Sequence, residues 1–383
     1  MSDRLRPLIA YADGPSAPLS APSVVAAAAG LSGVPEVLLG WMVPEPAWLD
    51  DPAVTGRTGM AGYGLAKAIA RGKIEALSMR LSGMPNLLRT LRPDVVVVSG
   101  VRRGDRLVYG QAVGWGPAAT QASKQVVVEV DDNGFDFGGP EITGNIVAVT
   151  DRPNEQTMFA KPRPADDIDL RIGAHVASLI PDDATLEFGP GGIGEGIARA
   201  LTKPISIHSG LVTDAMADIA ERGLLNGVVT GAYVWGGEPV QRLASAGLLR
   251  LTSVEVINDI TALSAIPRFV GCNTALQVAL DGSVNVERVN GRLITSIGGH
   301  ADFCAGASRS LGGMAVIALR STSAKGLSNI VRSVEVVSTP KCDVSVVVTE
   351  HGIADLRAVG DKERARRIVA IAAPQHRAAL LTD

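Results

Sequence analysis

The sequence predicts two α/β domains, each with a largely parallel sheet. Three observations carry this. Short apolar runs alternate with helix-like segments. A proline-bearing, charged stretch, residues 158–170, interrupts the pattern. The same alternation then restarts and continues to the end.

In the first part, strands are expected at Val34–Trp41, Asp94–Ser99, Gln125–Val130 and Asn145–Thr150. Helical segments lie between them at GYGLAKAIARG (62–72) and GPAATQASK (116–124). SVVAAAAG (23–30) is too short to span a bilayer and reads as a buried helix. MFAKPRPADDIDL (158–170) reads as the linker, giving domains 1–163 and 164–383. In the second part, strands are expected at Thr185–Phe188, Ile205–His208, Gly227–Trp235 and Val344–Thr349, with a long β-rich stretch from Leu249 to Ile297. KERARRIVAIAAP (362–374) reads as an amphipathic helix with a proline stop. No short-period repeat is visible.

Composition narrows the function. A chain of 383 residues that is 46% hydrophobic can build two cores. A net charge of −3 without a basic block gives no sign of nucleic-acid binding. Three cysteines form no C-x-x-C pair, and five histidines show no metal-binding spacing. No metal, no membrane span and no targeting segment are expected. A reducing cytoplasm is the default location.

The chemistry concentrates in glycine. LEFGPGGIGEG (186–196) places Gly189, Gly191 and Gly194 in a G-x-G-x-x-G pattern, ahead of the helix-like EGIARAL. A dinucleotide loop also needs an acid at the end of the second strand, roughly 20 residues on. The strand ISIHSG offers only His208, Ser209 and Gly210 there, and Asp214 lies beyond its expected end. NAD is therefore not expected. Such glycine density instead points to a ligand approaching the backbone closely.

A second glycine-rich segment, NTALQVALDGSVNVERVNGRLITSIGGHADF (273–303), resembles the acetyl-CoA hydrolase/transferase family. So do VIND (256–259), TSAKG (322–326) and VVTEHGIADLR (347–357). The likeness runs through the second half. It is weaker in the first, at YGQAVGWGPAATQASKQVVVEV and VAVTDRP, and the N-terminal end looks shortened. The resemblance implies two open CoA-transferase-like α/β domains with acyl-CoA in the cleft between them, and a homo-oligomer, most simply a dimer. It also implies a glutamate nucleophile, which forms an acyl-glutamyl anhydride and then a glutamyl-CoA thioester. Backbone N–H groups of the two glycine turns would steady the oxyanion. On this likeness Gly189, Gly191, Asn258, Gly298, Gly299, Asp302 and Phe303 would contact CoA. Gly299 would also be the oxyanion donor, and Glu350 would organise the site.

The sequence departs from that pattern in four places. The family's H-[ST]-E-x-x-x-D-G reads HSGLVTDA (208–215) here, so Gly210 stands at the nucleophile position. Pro190 occupies a position whose N–H would be an oxyanion donor, and proline has none. Glu187 replaces the family's glutamine, and His300 fills the variable position of the Gly-Gly-x-x-Asp-Phe loop. Glu187 and His300 are thus the candidate catalytic groups, for water attack on a thioester or on a β-keto carbon of a CoA-linked substrate. Two alternatives remain open: a transferase with Glu187 as relocated nucleophile, and a catalytically silent CoA-binding protein. Glu255 and Cys304 read as structural.

Overall fold

Two eight-stranded sheets carry the chain. The computed structural model describes residues 6–43, 45–153 and 164–381. The first sheet contains β1 (Leu8–Tyr11), β2 (Glu36–Leu39), β3 (Thr55–Thr58), β4 (Ile74–Ala76), β5 (Val95–Arg103), β6 (Arg106–Val108), β7 (Gln125–Val130) and β8 (Ile146–Asp151). Its order is β4-β3-β2-β1-β5-β7-β8. Every pair on that path is parallel, and β6 pairs antiparallel with β5. The all-valine run Val95–Val98 is fully buried, as expected of a central strand covered on both faces.

The second half continues with β9 (Thr185–Phe188), β10 (Ser206–Thr213), β11 (Val229–Trp235), β12 (Leu249–Leu251) and β13 (Phe269–Thr274). Next come β14 (Gln277–Ala279), β15 (Val284–Asn285), β16 (Arg288–Val289), β17 (Arg292–Leu293), β18 (Met314–Ala318), β19 (Ile330–Val331), β20 (Val346–Thr349) and β21 (Gly352–Asp355). The main sheet runs β12-β11-β10-β9-β13-β18-β20-β21, with only the last pair antiparallel. β14, β15 and β19 form a small sheet, and β16 and β17 a hairpin. Both large sheets start in the middle, step outward through three strands, then return to the other side. The halves repeat a topology rather than a sequence.

Several expectations change. The β-rich stretch Leu249–Ile297 contains two short helices, Val254–Ile257 and Ile260–Ala265. Residues 158–163 of the expected linker lie outside the described residues. Its end, DDIDL, starts a helix, Asp167–Leu179, with Asp166 and Asp169 forming a capping box. Helix Pro22–Ala28 buries one face only, leaving Ser23 and Val24 exposed. Pro374 does not end the chain's helical part: it opens a further helix, Pro374–Leu381, where its missing N–H is harmless. Most consequentially, β10 extends to Thr213, so Asp214 stands directly at its carboxyl end.

The carboxyl ends of the two sheets face each other. The Leu81 N–H donates to the Gly298 carbonyl at 2.9 Å, and the Ala61 N–H to Ser296 Oγ at 2.6 Å. Val234 N–H reaches the Gln111 carbonyl at 2.7 Å, and Tyr233 O–H donates to Asp13 at 2.8 Å. Trp41 stacks on Trp235 with ring centroids 5.2 Å apart. Loops at the carboxyl ends of parallel strands are where open α/β sheets hold ligands. Among the described residues, no helix is long and apolar enough to cross a membrane.

Candidate active site

The first glycine turn links β9 to helix Gly192–Ala200. An added Cβ at Gly189 or Gly191 would meet nothing within 4 Å, and Gly191 has φ +113°. Gly194 serves packing instead. Its Cβ would sit 2.3 Å from the Gly189 carbonyl, so its bareness lets helix and strand approach. The second turn, Gly298–Gly299, leads into helix His300–Arg309. Gly298 has φ +58° and lies beside Met60 of the first half. At Gly299 a Cβ would stand 2.5 Å from Asn258 Nδ2.

Glu187 projects from β9 on the same face as its ladder partner Gly271, toward helix His300–Arg309. It is only 3% exposed, and Asn273 Nδ2 donates to its Oε2 at 2.7 Å. Burial pushes its carboxyl up to about 8, the Asn273 bond opposing. Glu187 is thus a protonated acid beneath Asn273 at neutral pH. The thiols of Cys272 and Cys304, both buried and near Glu187, are raised in turn, chiefly by burial.

His300 is 8% exposed. Burial pushes its imidazole down to about 4, against the opposing bond to the Thr274 carbonyl. That bond fixes the tautomer, burial keeps the ring neutral, and Nε2 has no hydrogen-bond partner among the described residues. The base is therefore neutral throughout the physiological range. It does not titrate near pH 7, which the residue type alone suggests.

The neighbouring polar groups form a clasp between the halves. Asp302 accepts from Ser82 O–H at 2.7 Å and Ser82 N–H at 3.1 Å, and from Asn258 Nδ2 at 3.4 Å. Burial raises its carboxyl to about 6, with Ser82 holding it back. Asn258 Oδ1 is buried without a partner among the described residues. Phe303 lies under Gly210, 3.4 Å from where a Cβ would be. Glu350 is committed to Ser321, accepting its N–H at 2.9 Å and its O–H at 2.6 Å. Glu255 pairs with Arg89 at 2.5 Å on the surface.

The family model for the acetyl-CoA hydrolase/transferase C-terminal domain matches residues 241–383. The 4-hydroxybutyrate coenzyme A transferase of Clostridium kluyveri is 27% identical over 82% of this chain and 78% of its own. The acetyl-CoA hydrolase of Saccharomyces cerevisiae is 25% identical over 88% of this chain and 76% of its own. The C-terminal part of the chain, residues 241–383, thus carries the acetyl-CoA hydrolase/transferase C-terminal domain. Among solved structures, a 4-hydroxybutyrate CoA-transferase from Porphyromonas gingivalis is 26% identical. It superposes with a TM-score of 0.77, covering 98% of this chain and 92% of that one. RipA from Yersinia pestis shares the fold at a TM-score of 0.86 and 22% identity, covering 99% and 93%.

In this chain, the loop carrying Gly298, Gly299, His300, Asp302 and Phe303 gathers with Asn258, and Phe303 meets Gly210. Glu350 sits apart, bonded to the loop after β18. Sequence reasoning misses Asn273, Ser82 and Ser321. Each is the partner of a residue it does name, and only the strand order and the packing of the two halves bring them together.

Burial of Glu187 has a measurable outcome. A carboxyl raised from 4.5 to about 8 contributes stability fully present below pH 4.5 and lost as pH rises through 8. The full loss is about 4–5 kcal/mol. Glu187→Gln keeps an acceptor for Asn273 and cannot ionise. Its urea midpoint should therefore exceed that of the wild type at pH 9 but not at pH 5. Equal alkaline limbs would show that Glu187 is not held as a buried acid. Asp13, raised to about 7 by burial, keeps part of that limb in both proteins.

Proposed function

We propose that this protein binds an acyl-CoA between its two α/β halves and hydrolyses it, with water as the attacking nucleophile. The observation that carries this reading is His300: a buried, neutral base beside the Gly299 turn, with an uncommitted Nε2. The carboxylates named for the site are otherwise engaged, Glu187 with Asn273, Glu350 with Ser321 and Asp302 with Ser82. Glu187 is a poor relocated nucleophile, since it is protonated and lies under Asn273.

In this scheme Nε2 takes a proton as the water oxygen attacks the thioester carbonyl. The Gly299 N–H steadies the oxyanion. Collapse breaks the C–S bond, and the imidazolium returns its proton to the departing thiolate. The products are CoA–SH and the free acid. The same base would serve water attack on a β-keto carbon, and product analysis separates the two: free CoA–SH in one case, a shortened acyl-CoA in the other.

The binding part is tested at Gly299. A valine there would meet Asn258 and Phe303 and displace the turn. Overpacking of this kind costs roughly 1–3 kcal/mol, about ten- to hundred-fold in affinity if it falls on the ligand. Gly299→Val should lose CoA affinity by that factor while its circular dichroism stays native. Unchanged affinity in the folded variant would remove CoA from this loop.

A further inference from the structure

A cavity of about 420 Å³ is lined by Gly189, Pro190 and Gly191 of the first glycine turn, with Thr213, Asp214 and Trp235 among others. Gly298–Phe303 and Gly210 take no part in it. We infer that this cavity binds a nucleoside 5′-monophosphate whose ribose carries a free 2′,3′-diol.

Four features converge. Helix Gly192–Ala200 has no side-chain cap, the bare Gly191 leaves room for a phosphate at its start, and Glu195 of its first turn is already held by the Ala165 N–H and Arg199. Thr213 is 5% exposed, yet its Oγ1 has no hydrogen-bond partner among the described residues. A buried hydroxyl of that kind calls for a ligand or solvent partner. Asp214 stands at the end of β10, its carboxylate fixed by the Gly237 N–H at 2.9 Å, with acceptor capacity left for two hydroxyls. Trp235 adds an aromatic wall for a base. Strand, glycine turn, helix, parallel strand and acid follow one another as in nucleotide-binding α/β units, the acid coming after the turn at the roughly 20-residue spacing such units use.

The carboxylates also set a limit. Asp214 and Asp218 line the cavity, while Glu195, in the first turn of helix Gly192–Ala200, is paired with Arg199. A phosphate on the ribose diol would meet like charge there. The 3′-phosphorylated adenosine of CoA is thereby disfavoured, so the ligand of this cavity is distinct from CoA even though both would share the Gly189–Gly191 turn.

Titration calorimetry with AMP, adenosine and adenosine 3′,5′-bisphosphate tests this on the full-length protein, without acyl-CoA present. AMP should bind, and the other two should bind about tenfold more weakly or less. Thr213→Val and Asp214→Asn should each weaken AMP about tenfold. Thr213→Val removes an unpartnered buried hydroxyl, so its thermal midpoint should match or exceed that of the wild type. No AMP binding at millimolar concentration, or unchanged affinity in both variants, overturns the site. Equal affinity for the bisphosphate would reassign the cavity to the nucleotide end of CoA. A failed acyl-CoA hydrolysis assay leaves the inference standing, because AMP binding is read by itself.

Discussion

Gly210→Glu is expected to gain CoA exchange between acetyl-CoA and free carboxylates, which the wild type performs slowly or not at all. Position 210 lies within β10, and an added Cβ there would rest 3.4 Å from Phe303, an ordinary contact. A glutamate side chain therefore has a place to start from. Losing a nucleophile from a covalent catalytic unit can cost on the order of 10⁶ in rate. Restoring it cannot recover all of that, because Pro190 offers no N–H to the oxyanion, a loss of roughly 3–4 kcal/mol in comparable sites. The difference leaves about a thousandfold gain. Exchange of labelled acetate into acetyl-CoA measures the rate, and borohydride trapping followed by peptide mapping locates the adduct at residue 210. Rapid exchange by the unmodified protein, with an adduct on another residue, would refute the water route. A folded Gly210→Glu protein that forms no adduct would show that position 210 does not face the thioester.

What the sequence discloses and what it hides follow from one physical distinction. Local patterns are legible: the apolar runs of β7 and β9 appear with the expected bounds, and each glycine turn stands where its residues place it. Pairings between distant segments are not. β1 is four residues at the centre of its sheet, too short to show a period, so no pattern in the sequence marks it. β10 runs past its expected end because Ser209 and Gly210, taken alone, look like a strand stop. In the fold, Ser209 Oγ is satisfied by the Phe188 carbonyl, and Gly210 rests on Phe303, neither of which its own neighbourhood reveals. The longer strand brings Asp214 to the sheet edge and opens the cavity beside it. Glu187 is visible in the sequence as a gained carboxylate. Its protonation is not, since it depends on burial between β9, β13 and the helix at His300–Arg309. The likeness to a known family supplies function classes but cannot report which carboxylates are already spoken for.

His300→Ala should lower turnover of the true substrate by about 10², the lower end of what a positioned base contributes. The lower end is expected because burial leaves the imidazole at about 4, and a weaker base gives less help at neutral pH. The pH profile distinguishes this role from a merely structural one. The neutral ring is the active form, so kcat/KM in the wild type should rise through about pH 4 and stay level from about 5 to 8. The acidic limb should vanish in His300→Ala, leaving a slow, flat remainder. Stability gives an independent reading with the same origin. A histidine depressed from 6.5 to about 4 is neutral when folded while the unfolded chain takes up a proton between those values. Stability from this group is therefore intact above pH 6.5 and falls by about 3 kcal/mol as pH drops to 4. His300→Ala should lose baseline stability to the cavity it creates but flatten that acidic slope. A kcat/KM limb centred near 6.5 in the wild type, or full turnover in the alanine variant, would take the base away from His300 and the water route with it.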